Sequence, residues 1–254
     1  MRTRTGVALP VASTVVLSLA LSLAAFTGCG TKHELTSPTP GTPTPETQLT
    51  GVFVGSAENG LLDLTIDAGS LAMPADTTVS ASGVMSQDGG GVVNLTGTYD
   101  AGTDSLRLSG QGYELAGLYL DGGAPIRVEG RYTGPSGNGR FTALPGRRPS
   151  AVHAFCATYE DSAATMWGTL NLAVAGNGVA GFEVADGDTA VVAVQGTAAG
   201  TAGTTRSLAF AGAEFIGSGS WNTSTGHVAG VWASPRGTGV WSGDLCIAGT
   251  TGSE

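Results

Sequence analysis

Three histidines, three cysteines and twenty acidic side chains carry whatever acid–base, nucleophilic or metal chemistry this 254-residue chain can do. His33, His153 and His227 are far apart in sequence, and no Gly-x-Ser-x-Gly elbow accompanies any of them. There is no His-Glu-x-x-His and no glycine loop ending in lysine. Cys156 and Cys246 lack histidine partners at zinc-ligand spacing. Glu160 and Asp161 are neighbours, which a strand would turn to opposite faces. Glu114 and Glu129 are a distant pair that only folding could set across a gap, as glycoside hydrolysis requires. Asp186-Gly-Asp188 and Asp100-Ala-Gly-Thr-Asp104 offer turn oxygens to calcium, but without an EF-hand or a repeated calcium motif they read as Asx turns. The expectation is a non-enzyme without metal or cofactor. Ring chemistry remains: Gly219-Ser-Trp221, Gly230-Val-Trp232 and Gly239-Val-Trp241 recur at near-hairpin spacing, and their indoles could stack on sugar rings. Trp221, Trp232 and Trp241 are therefore the candidate ligand-binding residues.

The N-terminus points to where such a protein would work. Arg2 and Arg4 precede an uncharged, mostly apolar run that ends in Ala25-Phe26-Thr27-Gly28-Cys29-Gly30. The order of charged start, apolar middle and small residue at the cut resembles a bacterial lipoprotein signal peptide over residues 1–30. The resemblance implies a leader over residues 1–28, lipid attachment at Cys29, and an exported protein anchored to the cell envelope, at the outer membrane or cell surface. An uncleaved transmembrane anchor is the rival reading, since the stretch is long enough to span a bilayer. Both readings keep the arginines inside and send the rest out. With Cys29 claimed by lipid and the chain in an oxidising compartment, Cys156 and Cys246 pair by default, two buried thiols being the alternative.

Residues 29–50 include Ser37-Pro-Thr-Pro-Gly-Thr-Pro-Thr-Pro45. Proline fixes φ and lacks a donor, so this reads as an extended spacer between lipid and folded domain. From Cys29 onward 9 cations face 20 acids once Arg2 and Arg4 are removed, a net charge of −11. Nucleic acid is excluded as a partner for want of a basic patch. The remaining partners are the membrane, through the N-terminal lipid, and a glycan, small molecule or protein.

The elements behind these residues are strands. Val, Leu, Ile and aromatic residues alternate with Thr, Ser and Gly after residue 50, and no helical period appears. Eight strands are expected in residues 51–145, from Gly51–Ala57 to Arg140–Leu144. Eight more are expected in 151–248, from His153–Tyr159 to Gly239–Ile247, including Ala164–Val174 and Ser207–Phe215. Glu58-Asn59-Gly60 is read as the first hairpin turn. Gly-x-aromatic recurs at Gly51-Val-Phe53, Gly97-Thr-Tyr99, Gly130-Arg-Tyr132 and the tryptophan sites; glycine leaves a gap on the face its aromatic occupies, which favours a curled sheet. The expected fold is all-β, an antiparallel up-and-down meander closed as a barrel, with a sandwich as alternative, in one sheet or two tandem units. A Cys156–Cys246 bond requires Cα atoms within about 7 Å, so residues 152–248 must close on themselves.

The stretch from Phe155-Cys-Ala-Thr-Tyr159 through Trp167-Gly-Thr-Leu-Asn171 to Gly243-Asp-Leu-Cys246 resembles glycine-rich β modules of uncharacterised exported bacterial proteins. That resemblance implies an all-β fold and no activity. Leu95-Thr-Gly-Thr-Tyr99 is similar to a strand of avidin-like barrels and implies no ligand site. The leading expectation is a lipid-anchored, non-enzymatic binding or interaction module. The alternative is a carbohydrate- or small-molecule-binding module with an aromatic face or cavity. A membrane-spanning barrel fits poorly, because outer faces rich in Ser, Thr and Gly make no apolar band.

Overall fold

The computed structural model describes residues 46–246 apart from Ser56, Gly89, Gly123, Ala124, Pro149, Thr201, Ala202 and Thr204. The expected leader, Cys29, His33 and the expected spacer up to residue 45 lie outside the described residues.

Sixteen antiparallel strands form two closed eight-stranded barrels. The first comprises β1 (Thr47–Gly55), β2 (Asn59–Ile66), β3 (Thr78–Gln87), β4 (Val92–Asp100), β5 (Ser105–Gly110), β6 (Tyr113–Leu120), β7 (Arg127–Gly134) and β8 (Gly137–Pro145). The second comprises β9 (Val152–Asp161), β10 (Trp167–Ala175), β11 (Gly178–Ala185), β12 (Val192–Ala199), β13 (Thr205–Ala211), β14 (Ile216–Asn222), β15 (Val228–Ser234) and β16 (Gly237–Leu245). Each barrel closes by pairing its first strand with its last, β1 with β8 and β9 with β16. The fold is the all-β meander expected, in its two-unit form, and closure removes the open sheet edges.

Period-2 alternation builds the walls. In β13 every second residue, Arg206, Leu208 and Phe210, is buried. The glycines make room for rings in the way the repeat suggests. A Cβ on Gly117 would stand 2.7 Å from Phe141 Cζ, and one on Gly219 only 2.6 Å from Trp241 Cζ2. Aromatic rings thus lie on bare backbone of neighbouring strands, and the sheet curls tightly enough to be filled by side chains.

Alternation fails in β1, where both faces are buried. Leu49 and Phe53 fill the first barrel, while Val52 and Val54 point outward against the second. Val52 and Leu61 pack with Ala154 and Cys246; Leu144 packs with Val152, Ala173 and Ala180; Val54 packs with Phe182 and Val184. Each buried aliphatic side chain of this kind is worth about 1.5–3 kcal/mol. Arg140 of β8 lies over the Phe182 ring of β11 at 5.1 Å, a cation–π contact across the same seam.

Several boundaries differ from expectation. Thr47–Thr50 belong to β1 rather than to the spacer. Asn59-Gly60 begin β2, and the turn sits earlier, where Gly55 N–H donates to Glu58 O at 2.8 Å. β10 starts at Trp167, not Ala164, because the Asp161 carboxylate accepts from Thr165 N, Thr165 Oγ1 and Met166 N and holds a tight turn. β13 ends at Ala211, because Gly212 N–H donates to Phe215 O at 2.7 Å and sends Phe215 into the barrel.

The two barrels share an unexpected duplication. Gly130-Arg-Tyr-Thr-Gly-Pro-Ser-Gly-Asn-Gly-Arg-Phe141 forms the β7–β8 hairpin, and Gly230-Val-Trp-Ala-Ser-Pro-Arg-Gly-Thr-Gly-Val-Trp241 forms β15–β16. The registers agree: Gly130 faces Phe141 as Gly230 faces Trp241, and Tyr132 faces Gly139 as Trp232 faces Gly239.

Candidate functional site

Trp221, Trp232 and Trp241 point into the second barrel and are 3%, 2% and 1% exposed. Trp221 packs on Phe155 and His153, with ring centroids 5.2 and 4.5 Å apart, and carries Arg206 over its face at 5.4 Å. Trp232 stacks on Phe215 at 5.5 Å and donates Nε1–H to Glu160 O at 3.0 Å. Trp241 meets Phe210 edge-on at 5.4 Å and donates to Ser218 O and Val231 O, both at 3.2 Å. The three rings are core, and none turns a face to solvent for stacking. The Gly-x-Trp spacing that singled them out is the spacing that buries them.

Both barrel interiors are filled. The first is packed around Phe53, Tyr99, Tyr132 and Phe141, the second around Phe155, Tyr159, Phe210 and the three tryptophans. One mouth of the second barrel keeps a small cavity of about 70 Å³, lined by Tyr159, Glu183, Phe215 and Trp232 among others. Tyr159 donates its hydroxyl to Glu183 there. Burial pushes the Glu183 carboxyl above the usual range, with the Tyr159 hydrogen bond and Arg236 opposing. Burial also raises Tyr159. A void of this size admits a few waters rather than a drug-sized ligand.

The other chemically capable residues are dispersed over the two barrels. Cys156 and Cys246 stand at disulfide distance with Cα atoms 5.0 Å apart, joining β9 to the end of β16 on the outer face of the second barrel. His227 Nδ1 pairs with Asp244 at 3.0 Å on the surface. His153 is half-buried, and burial, then Arg206, lowers its pKa. Glu129 is neutralised by Arg127 and Arg140, while Glu114 is exposed and faces Thr133 across the sheet. Asp188 accepts from Ala190 N, and Asp100 from Gly102 N, each closing its own turn. Among the described residues no three His, Cys, Asp or Glu side chains gather as a metal site.

The outer face of the second barrel is different. Trp167 on β10 faces Glu160 on β9; Glu160 faces Val240 on β16; Val240 faces Val231 on β15; Val231 faces Ser218 on β14. Directly opposed residues share a face, so these five side chains form one outward row. Trp167 is 57% exposed, Val231 57% and Val240 53%, and Ile216 adjoins them at 63%. Two shallow depressions run along the row. One of about 370 Å³ holds Thr158, Glu160, Trp167, Val240 and Ser242. The other, of about 690 Å³, shares Glu160 and Val240 and reaches Ile216. Beside the row lies a band of hydroxyls, Thr169, Thr158, Ser242 and Ser220, with Ala229 between the last two.

No family model, curated protein or solved structure matches this chain. Its own first barrel is therefore the comparison that informs. Arg131 and Arg140 face each other there at the positions of Val231 and Val240. The duplicated hairpin folds with arginines at these outward positions, so the fold does not need the valines. Trp167, Val240, Val231 and Ile216 are thus exposed apolar side chains on one outer face that closure of the barrel does not require. Trp167 is the one tryptophan outside the Gly-x-Trp pattern. That exception does not by itself mark exposure, because Phe155, Tyr159 and Phe210 also lack a glycine two residues before them and are buried core rings.

Proposed function

We propose that this protein is an exported, lipid-anchored, non-enzymatic binding module that meets its ligand on the Trp167 face of the second barrel. The leader and Cys29 support the anchor, held away from the lipid by the spacer, with the domain facing the periplasm or cell surface. The observation that carries the binding role is the pairing of filled interiors with an exposed apolar row where the sister hairpin carries arginines. A filled barrel leaves no room for a ligand inside it, since an interior ligand site needs a cavity of about 300 Å³ or more.

Two experiments test the two parts. In cells, radiolabelled palmitate is expected to label the wild type and not Cys29→Ala, which should leave the membrane fraction; equal membrane retention of an unlabelled variant refutes the lipid anchor. A photo-crosslinking residue at position 167 is expected to capture an adduct in intact cells, while one at Ser109, outward on the first barrel, does not. No adduct at 167, or equal adducts at both, refutes this face as the binding surface.

A further inference from the structure

We infer that the ligand of the Trp167 face is a neutral, hydroxyl-rich polysaccharide chain lying across the strands. The inference rests on the reading of this face as the binding surface and names its chemistry. Trp167 presents a large exposed indole, and aromatic faces pack against the C–H faces of sugar rings while excluding water. Thr158 and Ser242 line the depression beside it, and a hydroxyl both donates and accepts, as sugar hydroxyls demand. Glu160 lies between Trp167 and Val240 in the row and offers carboxylate oxygens that only accept, matching sugar O–H donors. Val240, Val231 and Ile216 extend an apolar floor beyond it.

Charge weighs against anionic ligands. The two depressions contain Glu160 and Asp161 and no arginine, lysine or histidine. An acidic glycan or an anionic lipid headgroup would meet like charge there without a countercharge. The row crosses five strands, β10, β9, β16, β15 and β14, hence four spacings of about 4.8 Å or roughly 19 Å. A path of that length suits an extended chain of several rings better than a single sugar.

The site is preorganised. Asp161 accepts three hydrogen bonds from Thr165 and Met166, so the turn immediately before Trp167 is fixed before ligand arrives. Rigid presentation reduces the ordering cost of binding.

The test is retention of the full chain on insoluble cellulose and chitin, with alginate as an anionic polysaccharide, alongside near-ultraviolet circular dichroism to verify folding. Retention is expected on at least one neutral matrix and not on alginate. Trp167→Ala should weaken it by about tenfold or more, as loss of an aromatic anchor does. Trp167→Phe should stay within a few-fold of wild type, and Leu118→Ala on the first barrel should change nothing. Absence of retention on both neutral matrices, or equal retention of a folded Trp167→Ala variant, overturns the polysaccharide. If the crosslinker at 167 still captures a protein in that case, the face remains a binding surface and only its ligand class is wrong.

Discussion

Val231 and Val240 face each other on β15 and β16, outward and more than half exposed, where the duplicated hairpin of the first barrel sets Arg131 opposite Arg140. One hairpin architecture therefore carries two surface chemistries. The arginine version is tied into its surroundings, with Arg140 bound to Glu129 and lying over Phe182. The valine version is left open to whatever the protein meets.

Exchange of these residues separates fold from binding. Val240→Arg is expected to change unfolding free energy by less than about 0.5 kcal/mol, as surface substitutions do. It should also abolish crosslinking from position 167, because it places a solvated cation across the apolar floor. Urea denaturation and crosslinking yield read the two effects. A loss of stability beyond about 2 kcal/mol would show that the valines serve packing after all.

The seam between barrels rests partly on one buried amide. Asn171 is fully buried and donates Nδ2 hydrogens to Asn59 Oδ1 at 3.2 Å and Phe53 O at 3.4 Å in the opposite barrel. Asn171→Ala should cost about 1–2 kcal/mol, since it removes both hydrogen bonds that the amide donates across the seam. Urea unfolding followed by tryptophan fluorescence measures it; an unchanged midpoint would show that apolar packing alone holds the seam.

The Cys156–Cys246 pair closes the second barrel by joining its first strand to the end of its last, across a sequence separation of 90. The Cys156→Ala/Cys246→Ala double variant is expected to lose about 2–4 kcal/mol, typical for a disulfide. Thermal unfolding with and without reductant checks it, and reductant should shift the wild type but not the double variant. Equal Tm for wild type and double variant would argue for unbonded thiols.

Glu183 sets a pH dependence of opposite sign to that of ordinary carboxylates. Burial raises its folded pKa above the unfolded one, so its stabilising share is full below the unfolded pKa and is lost as pH rises through the folded pKa. Glu183→Gln should therefore raise Tm at pH 8 and leave it nearly unchanged at pH 4, by differential scanning calorimetry. The reverse order would mean that Glu183 is stabilised as an anion, through Tyr159 and Arg236.

His153 acts at the other end of the range. Its folded pKa is lowered by burial and then by Arg206, so the unfolded state takes up the proton more readily. Stability is then complete above the unfolded histidine pKa of about 6.5 and falls as pH drops toward the folded value. His153→Gln should flatten the decline of Tm between pH 7 and pH 5; an identical slope in the variant would sink the assignment.

Much of this protein is determined along the chain itself. Strand period, turn residues and the Gly-x-aromatic pairs specify an all-β meander, because side chains at i and i+2 must share a face and a ring needs the room that a neighbouring glycine leaves. The cysteine positions demanded that the second unit close, and β9 pairs with β16 as that demand requires. Turn boundaries were less legible: the β9–β10 turn depends on which backbone amides the Asp161 carboxylate captures, and Phe215 turns inward only because a barrel waits there. What tertiary structure alone decided is which tryptophans face water. Trp221, Trp232 and Trp241 and Trp167 have the same chemistry, and their difference arises from closure, which put three rings inside and set the fourth in an outward row with residues from four other strands. Residues distant in sequence become one surface only when register aligns them, and register is a property of the closed sheet rather than of any one strand.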